Sequence, residues 1–181
     1  FIVGLKARMS SSVVGENDVK PLELAVIAAE ENDLPIMVHI GNAPPMLKEI
    51  FKFLRPKDIV THIFNPKASG ILDEKHQVRP FIFEGMDRGI IYDVGHGTDS
   101  FGFKTYELAT AQGMKFSTIS SDIYRRNRAN GPVYDLATTM SKFLMLGMDK
   151  EEVITKVTKN AAQAFNLTGL GEIKVGNIAD F

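Results

Sequence analysis

The fold is constrained most strongly by an alternation of short strand-like runs with amphipathic helical patterns. The runs begin at or near Phe1, Ile36, Ile59, Ile90 and Phe116. A chain that alternates in this way forms β/α units whose strands are parallel. Two α/β arrangements stay open, a doubly wound sheet and part of an eight-stranded β/α barrel, and in both the functional groups gather at the carboxyl ends of the strands. No Gly-x-Gly-x-x-Gly motif follows the first run, which weakens the nucleotide-binding version of the open sheet.

The segments between and after these runs predict six helices or partly helical crossovers. Pro21 opens the first helix, because its fixed φ angle and missing N–H suit a first turn. Asp149 is expected to cap the last helix, with Glu152 completing a capping box. The expected helical ranges are 21–32, 45–54, 77–88, 103–112, 135–146 and 150–165. Loops are expected over 9–20 and 123–132, and short strands with glycine turns over 170–181.

Two neighbouring runs end in the same polar pattern. Ile36-Met37-Val38-His39-Ile40-Gly41-Asn42 delivers a histidine after apolar residues, and Val60-Thr61-His62-Ile63-Phe64-Asn65 repeats the design 23 positions later. Packing alone does not readily explain two strands that both end in His and then Asn. The other runs also end in ionisable residues, which are Lys6, Asp93 with His96, and Asp122. In a barrel, all of these side chains would point into one mouth.

Composition narrows the chemistry of such a site. The 181 residues include no cysteine, so a metal would have to be bound by His, Asp, Glu or a modified Lys. Two imidazoles, a carboxylate and a lysine suit a divalent ion such as zinc. A net charge of −1 gives no electrostatic reason to expect nucleic acid or an anionic membrane as partner, and no apolar run approaches the ~18 residues of a membrane span. The lack of cysteine fits a cytoplasmic protein.

The order of these motifs resembles the amidohydrolase superfamily, and most closely its amidohydrolase/deacetylase group of metallohydrolases. The resemblance implies strands four to eight of a (β/α)8 TIM barrel over residues 1–166, followed at 167–181 by the return to a small β-sandwich domain. The motifs that carry it are Gly4-Leu5-Lys6-Ala7-Arg8-Met9-Ser10, Val38-His39-Ile40-Gly41-Asn42, Asp58-Ile59-Val60-Thr61-His62-Ile63-Phe64-Asn65, Tyr92-Asp93-Val94-Gly95-His96-Gly97, Ile119-Ser120-Ser121-Asp122 and Gly171-Glu172-Ile173-Lys174-Val175-Gly176-Asn177-Ile178-Ala179-Asp180-Phe181.

The resemblance also implies a role for each metal ligand. Lys6 would be carboxylated by carbon dioxide and would bridge two divalent metals, expected to be Zn²⁺. His39 and His62 would complete the shell of the second metal. Asp122 would bind the first metal and would carry the proton of the attacking water to the leaving group. The simpler structural alternatives are a surface lysine, core histidines bonded to backbone, and a carboxylate that caps the following turn.

Three further residues are candidate substrate contacts. His96 lies in a glycine-flanked loop, where a purely structural role in the turn is an equally good interpretation. Asn65 and Arg8 follow or end the strands that carry His62 and Lys6. The basic residues just after Asp122 are interpreted mainly as a solvated face.

These expectations define the predicted reaction. The chain is predicted to belong to a metal-dependent hydrolase of a non-peptide C–N bond, in which a metal-activated hydroxide attacks a small amide substrate and Asp122 moves the proton. Among the possible substrates, an N-acyl compound, as for a deacetylase, is the first candidate. The alternatives are a cyclic amidase similar to dihydroorotase, a hydrolase similar to adenine deaminase, and a non-catalytic barrel fragment.

The sequence departs from the superfamily pattern at its beginning. The His-x-His pair of strand one and the first three strands are absent, and both chain ends fall in strand-like runs, so we expect a fragment of a longer protein. The missing N-terminal half-barrel would be its partner, and exposed sheet edges would promote a homo-oligomer. The chain alone is therefore expected neither to close a barrel nor to turn over substrate well.

Overall fold

Four parallel strands form one sheet in the order in which they occur along the chain. The structure is a computed structural model that describes residues 2–179. The strands are β1 (Leu5–Met9), β2 (Ile36–Ile40), β3 (Ile59–Thr61) and β4 (Ile91–Tyr92), and each pairs in parallel with the next. This arrangement confirms the predicted α/β class with parallel strands.

Helices connect consecutive strands and continue after the last one. Residues Gly15–Asn17 form a short 3-10 turn. Among the residues that the structure describes, no helix is long and apolar enough to cross a membrane. The helices are α1 (Ser11–Val14), α2 (Lys20–Glu31), α3 (Leu47–Phe53), α4 (Pro80–Asp87), α5 (Phe103–Ala111), α6 (Arg125–Asn130), α7 (Leu136–Met145), α8 (Lys150–Val157) and α9 (Lys159–Ala164).

Strand β1 lies further along the chain than predicted. The expected strand covered residues 1–5, of which Phe1 lies outside the described residues, whereas the observed strand covers Leu5–Met9. Ala7 and Met9 are buried on one side of it, while Lys6 and Arg8 are exposed on the other. This alternation is that of a half-buried strand. Lys6 and Arg8 are therefore not a polar segment after the strand, as predicted, but lie inside it.

The predicted fifth strand joins the sheet by a single parallel bridge, between Asp93 and Thr118. The Asp93 carboxylate is buried and accepts hydrogen bonds from the hydroxyls of Thr61 (2.6 Å), Thr118 (2.7 Å) and Ser120 (2.6 Å). These hydroxyls come from β3 and from the segment after α5. Asp93, which follows β4, is therefore bonded to β3 on one side and to the segment after α5 on the other. These hydrogen bonds are sufficient to explain why its carboxylate is buried.

The segments outside the strands differ from the prediction at five places. The predicted loops 9–20 and 123–132 contain α1 and α6, and the predicted helix 150–165 is interrupted at Thr158. Asp149 caps α8 by accepting the N–H of Glu151 rather than through a capping box. No strand forms over residues 170–179, and the end of the predicted stretch, 180–181, lies outside the described residues.

The sheet is covered on one face and open on the other near β1 and β2. Alternate residues of β2, Ile36, Val38 and Ile40, are buried in the hydrophobic core. On the opposite face, Lys6 pairs in register with Met37 and Arg8 pairs with His39. We call this half-exposed surface, formed by Lys6, Arg8, Met37 and His39, the open face. It brings the predicted ligands Lys6 and His39 to the same side of the sheet.

The amino end of the sheet is held by a buried carboxylate, which supports a stability prediction. Asp58 is 1% exposed and accepts the Ile36 N–H at 3.0 Å, the Arg55 N–H at 2.8 Å and two guanidinium N–H groups of Arg55. Asp58→Asn should lower the free energy of unfolding by about 1–3 kcal/mol, because an amide cannot accept all of these bonds. Urea unfolding measures this change. The exposed Asp87→Asn should leave the transition unchanged, and equal stability of the two variants would contradict the assignment.

Candidate metal centre

An open cavity of about 540 Å³ lies at the carboxyl ends of the strands. Three of the four predicted metal ligands, Lys6, His39 and Asp122, line it together. The fourth, His62, is 1% exposed and lies behind His39. The remaining lining residues are Arg8, Ser10, Ser12, Gly41, Asn42, Lys67, Thr98, Asp99, Ser100 and Tyr124.

His39 and His62 are in direct contact. Their ring centroids lie 4.3 Å apart and the rings are nearly perpendicular, at 75°. His39 is the fourth residue of β2, and His62 directly follows β3 with a φ angle of 66°. The left-handed backbone at His62 turns the chain at the end of the strand. The repeated His pattern of the sequence thus becomes a pair of adjacent imidazoles.

One nitrogen of His62 has no partner within the chain. Its Nδ1 lies 2.6 Å from the Gly95 carbonyl oxygen, so Nδ1 carries the hydrogen and donates it. The Nε2 atom then holds a lone pair, is buried, and has no hydrogen-bond partner among the described residues. An orphaned buried acceptor is unusual in a folded protein. An imidazole that donates through one nitrogen to a carbonyl and keeps the other free has the arrangement of a metal ligand.

Burial and nearby positive charges favour the neutral form of both imidazoles. Burial, followed by the charges of His62, Arg8 and other neighbouring cations, lowers the pKa of His39 to about 3. Burial also lowers the pKa of His62, although the Gly95 carbonyl and the Asp122 charge act in the opposite direction. The neutral form is the one that binds a metal ion. The two rings therefore offer lone pairs at neutral pH.

Asp122 is fixed by its backbone. Its φ angle is 46°, in the left-handed region that aspartate tolerates better than most residues. Its carbonyl accepts the side-chain N–H of the buried Asn127 at 3.0 Å. A Cβ added to Gly97 would lie 2.9 Å from Asp122 Oδ2, so the carboxylate rests against a glycine that leaves it room. The carboxylate is exposed to the cavity.

The donor set fits a metal only with a ligand beyond ordinary side chains. Across residues 2–179, no three His, Cys, Asp or Glu side chains are arranged to hold a metal ion by themselves. Lys6 shares the open face with His39, and its charge lowers the pKa of His62. Two neutral imidazoles with one orphaned nitrogen, together with an oxygen ligand on Lys6, would complete a zinc-type set.

The predicted substrate contacts are placed differently from one another. Arg8 lines the cavity beside His39. Asn65 is buried, donates to the His62 carbonyl at 2.8 Å and accepts the Lys67 N–H at 3.2 Å. His96 is also buried and uses both ring nitrogens within the chain. Contact of these residues with substrate stays a prediction.

Several cavity residues were missed by the sequence analysis. Lys67, Thr98, Asp99 and Tyr124 come from loops whose course the strand pattern does not fix. Thr98 Oγ1 and Tyr124 Oη lie 2.6 Å apart and join two of these loops at the cavity. The residues therefore had no sequence signal beyond their position just after strand ends.

Comparison with known proteins identifies close relatives of about twice this length. Residues 15–181 match the amidohydrolase family. A protein named deacetylase from Enterococcus faecalis is 50% identical over an alignment of 182 positions, which covers 99% of this chain and 49% of that protein. A protein named deacetylase from Agrobacterium fabrum is 39% identical over 180 residues, covering 99% and 44%. The chain thus spans about half the length of the curated relatives that it matches.

Solved structures show the same relation. A crystal structure described as an adenine deaminase superposes with a TM-score of 0.96 at 50% identity, over 99% of this chain and 50% of that one. A crystal structure described as a dihydroorotase gives a TM-score of 0.81 at 40% identity, over 92% and 43%. The predicted partial TIM barrel is confirmed by these neighbours, and members of the family are generally metal-dependent. This chain belongs to the amidohydrolase family.

Proposed function

We propose that this chain is the ligand-bearing part of a metal-dependent hydrolase that cleaves a non-peptide, amide-type C–N bond and releases an acyl group such as acetate. The observation that carries the proposal is the buried, unpartnered Nε2 of His62, in contact with His39 beside a cavity lined by Lys6 and Asp122. Relatives named deacetylase at 50% and 39% identity support the N-acyl substrate.

Lys6, His39 and His62 would hold one divalent metal, which we propose to be Zn²⁺, and Asp122 would bind a second. Lys6 would take part as a carbamate formed with carbon dioxide, since an unmodified ammonium cannot be a ligand. When bound, such metals polarise a substrate carbonyl and make water nucleophilic at neutral pH. The Gly95 carbonyl fixes the tautomer of His62, so the buried Nε2 keeps its lone pair available.

Asp122 would act on the proton. Its carboxylate is exposed to the cavity, and its backbone is held by Asn127, so its position does not depend on the substrate. It would accept a proton from the attacking water and return it to the leaving nitrogen as general base and then general acid. Arg8, which lines the same cavity, would orient a polar or acidic group of the substrate.

The remaining candidate functions differ in substrate or in completeness. The structural neighbours described as an adenine deaminase and a dihydroorotase favour two other C–N hydrolyses. A non-catalytic barrel fragment is the alternative of another class. We propose a partner half-barrel, since the matched relatives are about twice as long as this chain. We also propose a domain boundary near residue 166, which leaves 167–181 to a small β-domain, and a cytoplasmic location.

The test of the proposed function compares substrate classes in one protein. The protein encoded by the complete reading frame that contains this chain, loaded with Zn²⁺, is assayed with N-acetyl amino acids, dihydroorotate and adenine. We expect release of acetate, loss of that activity on chelation and its return with zinc, because the metal supplies the carbonyl polarisation. Turnover of dihydroorotate alone or of adenine alone would contradict the N-acyl substrate and support the corresponding alternative.

A chimera separates a defective chain from a missing partner half. In the chimera, this chain replaces the matching region of the Enterococcus faecalis relative, to which it is 50% identical. If the chimera hydrolyses N-acetyl substrates like the parent, the chain contains a competent half-site. An inactive but folded chimera that binds no zinc would support the non-catalytic fragment.

A further inference from the structure

The loop 95–97 connects the two sides of the candidate centre. Its first carbonyl accepts the Nδ1–H of His62 at 2.6 Å. Its next two backbone N–H groups donate to the carbonyls of Ser120 (2.9 Å) and Ser121 (3.0 Å), the two residues directly before Asp122. A displacement of this loop would therefore move a metal-binding histidine on one side and the proton-carrying carboxylate on the other.

The His96 ring anchors this loop to the rest of the chain. Its Nδ1–H donates to the Gly97 carbonyl at 2.8 Å, which leaves Nε2 as an acceptor. Lys142 Nζ lies 3.0 Å from that Nε2 and donates to it. The ring also stacks on Phe101, with centroids 4.9 Å apart and planes at 25°. With 3% of its surface exposed, His96 is enclosed on all of these sides.

Lys142 is held in turn by a second acceptor. It lies on α7, is half-buried, and its Nζ is 2.5 Å from the Pro132 carbonyl oxygen. A hydrogen bond whose donor is an ammonium is stronger than a neutral one. The ammonium thus bridges the segment before α7 and the His96 ring. Among the described residues, Lys142 is outside the set that lines the cavity.

We propose that Lys142 is a positioning residue, which acts through His96 to hold the loop 95–97 and thereby to aim His62 and Asp122 at the metals. The inference rests on the proposed metal-dependent function and gives His96 a role different from substrate contact. Histidines that bind metals depend on such outer partners for their orientation. Here the Lys142 ammonium holds the His96 ring, and the loop that carries His96 in turn holds the proposed ligand His62.

Three variants of the complete reading-frame protein test this chain of contacts. Lys142→Met removes the donor. His96→Asn keeps a side-chain N–H near the position of Nδ1 and removes the acceptor for Lys142. The third variant combines both, and Lys150→Met, an exposed lysine at the start of α8, is the control. Cobalt(II) affinity is read from the visible absorption of the bound ion, and kcat and KM are measured with the zinc form.

Each single variant should bind cobalt about 10- to 100-fold more weakly and lower kcat with little change in KM. The double variant should bind cobalt no more weakly than the single variant with the lower affinity. Both changes break the same contact between Lys142 and His96, so their effects do not add. Lys150→Met should match the parent. Unchanged cobalt affinity in the single variants, or effects that multiply in the double variant, would overturn the role of Lys142.

Hydrogen exchange keeps this test separate from the proposed function. In the metal-free protein, the amides of His96 and Gly97 should exchange faster in both single variants, since the loop loses its anchor whether or not a reaction follows. Equal exchange rates would overturn the inference even in an active enzyme. Faster exchange in a protein without hydrolase activity would instead reject the proposed function alone. If Lys142→Met does not fold, Lys142→Gln is judged by the same criteria.

Discussion

Asp122→Asn should lower kcat for amide hydrolysis about 10²- to 10⁴-fold in the protein made from the complete reading frame, the range expected when a general acid–base is removed. The amide has almost the same shape as the carboxylate, but it can neither take the proton from water nor give it to the leaving nitrogen. Steady-state kinetics with the best N-acetyl substrate measures the loss. KM should change much less than kcat.

The variant should fold normally, which makes the kinetic loss interpretable. Asparagine tolerates the left-handed backbone of position 122, where φ is 46°, about as well as aspartate does. The bond that fixes this position runs from Asn127 to the backbone carbonyl of Asp122 and does not involve the carboxylate. Thermal unfolding of the variant should therefore stay close to that of the parent.

A second carboxylate of the same cavity supplies the control. Asp99 is exposed and lines the cavity with Asp122, but it does not follow a strand that carries a predicted ligand. Asp99→Asn should lower kcat far less than Asp122→Asn does, because no proton transfer is assigned to Asp99. An Asp122→Asn enzyme with near-normal kcat would eliminate the proton role.

Metal content then separates the two roles assigned to Asp122. If the carboxylate is mainly the proton carrier, zinc content is retained while kcat falls. If it is mainly a ligand, one metal is lost together with activity, because a neutral amide is a weaker ligand for a divalent cation than a carboxylate is. Zinc analysis of the purified variant distinguishes these results.

The fold could be predicted because burial leaves a periodic trace in the sequence. Strands β2 and β3 begin with the apolar runs Ile36-Met37-Val38 and Ile59-Val60, which are typical of parallel strands in a β/α fold. Strand β1 was displaced in the prediction because Lys6 and Arg8 point to the open face, so half of its residues look like those of a loop. Helix α6 was missed because five of its six residues are polar and Ala129 alone makes no apolar stripe.

The candidate centre was predictable only in part, for a related reason. The His39 and His62 pattern identified the two imidazoles that the structure places in contact. Their supporting bonds come from backbone groups, such as the Gly95 carbonyl, which any residue possesses and no motif reveals. The contact between Lys142 and His96 joins residues 46 positions apart, a separation that strand and helix periodicity does not address.

The glycine at position 95 supports the sharpest structural prediction, since a single methyl group there should disable the histidine site. Gly95 has a φ angle of 50°, and an added Cβ would clash with Thr61 Oγ1 and lie 2.7 Å from His62 Nδ1 and 2.9 Å from the His62 backbone nitrogen. All of these atoms belong to the end of β3 and to the residue that follows it. None of them is the free end of a long, flexible side chain, so the strand end or the loop must move.

Gly95→Ala should therefore reduce metal affinity by about 100-fold, the upper range for a change outside the ligands themselves. The displaced loop would no longer offer its carbonyl to His62 Nδ1, and the orientation of Nε2 would be lost. Overpacking should also destabilise the protein by about 1–3 kcal/mol. Cobalt(II) titration and urea unfolding measure the two effects independently.

Gly113→Ala is the matched control, because it shares the backbone penalty without the clash. Its φ angle is 88°, and among the described residues nothing lies within 4 Å of the added Cβ. Both variants bear the left-handed cost of about 1–2 kcal/mol that any L-residue carries there. Only Gly95→Ala should bind the metal more weakly and show the further destabilisation caused by overpacking. Equal cobalt binding by the two variants would show that the Gly95 carbonyl does not orient His62, and the free Nε2 would then need another explanation.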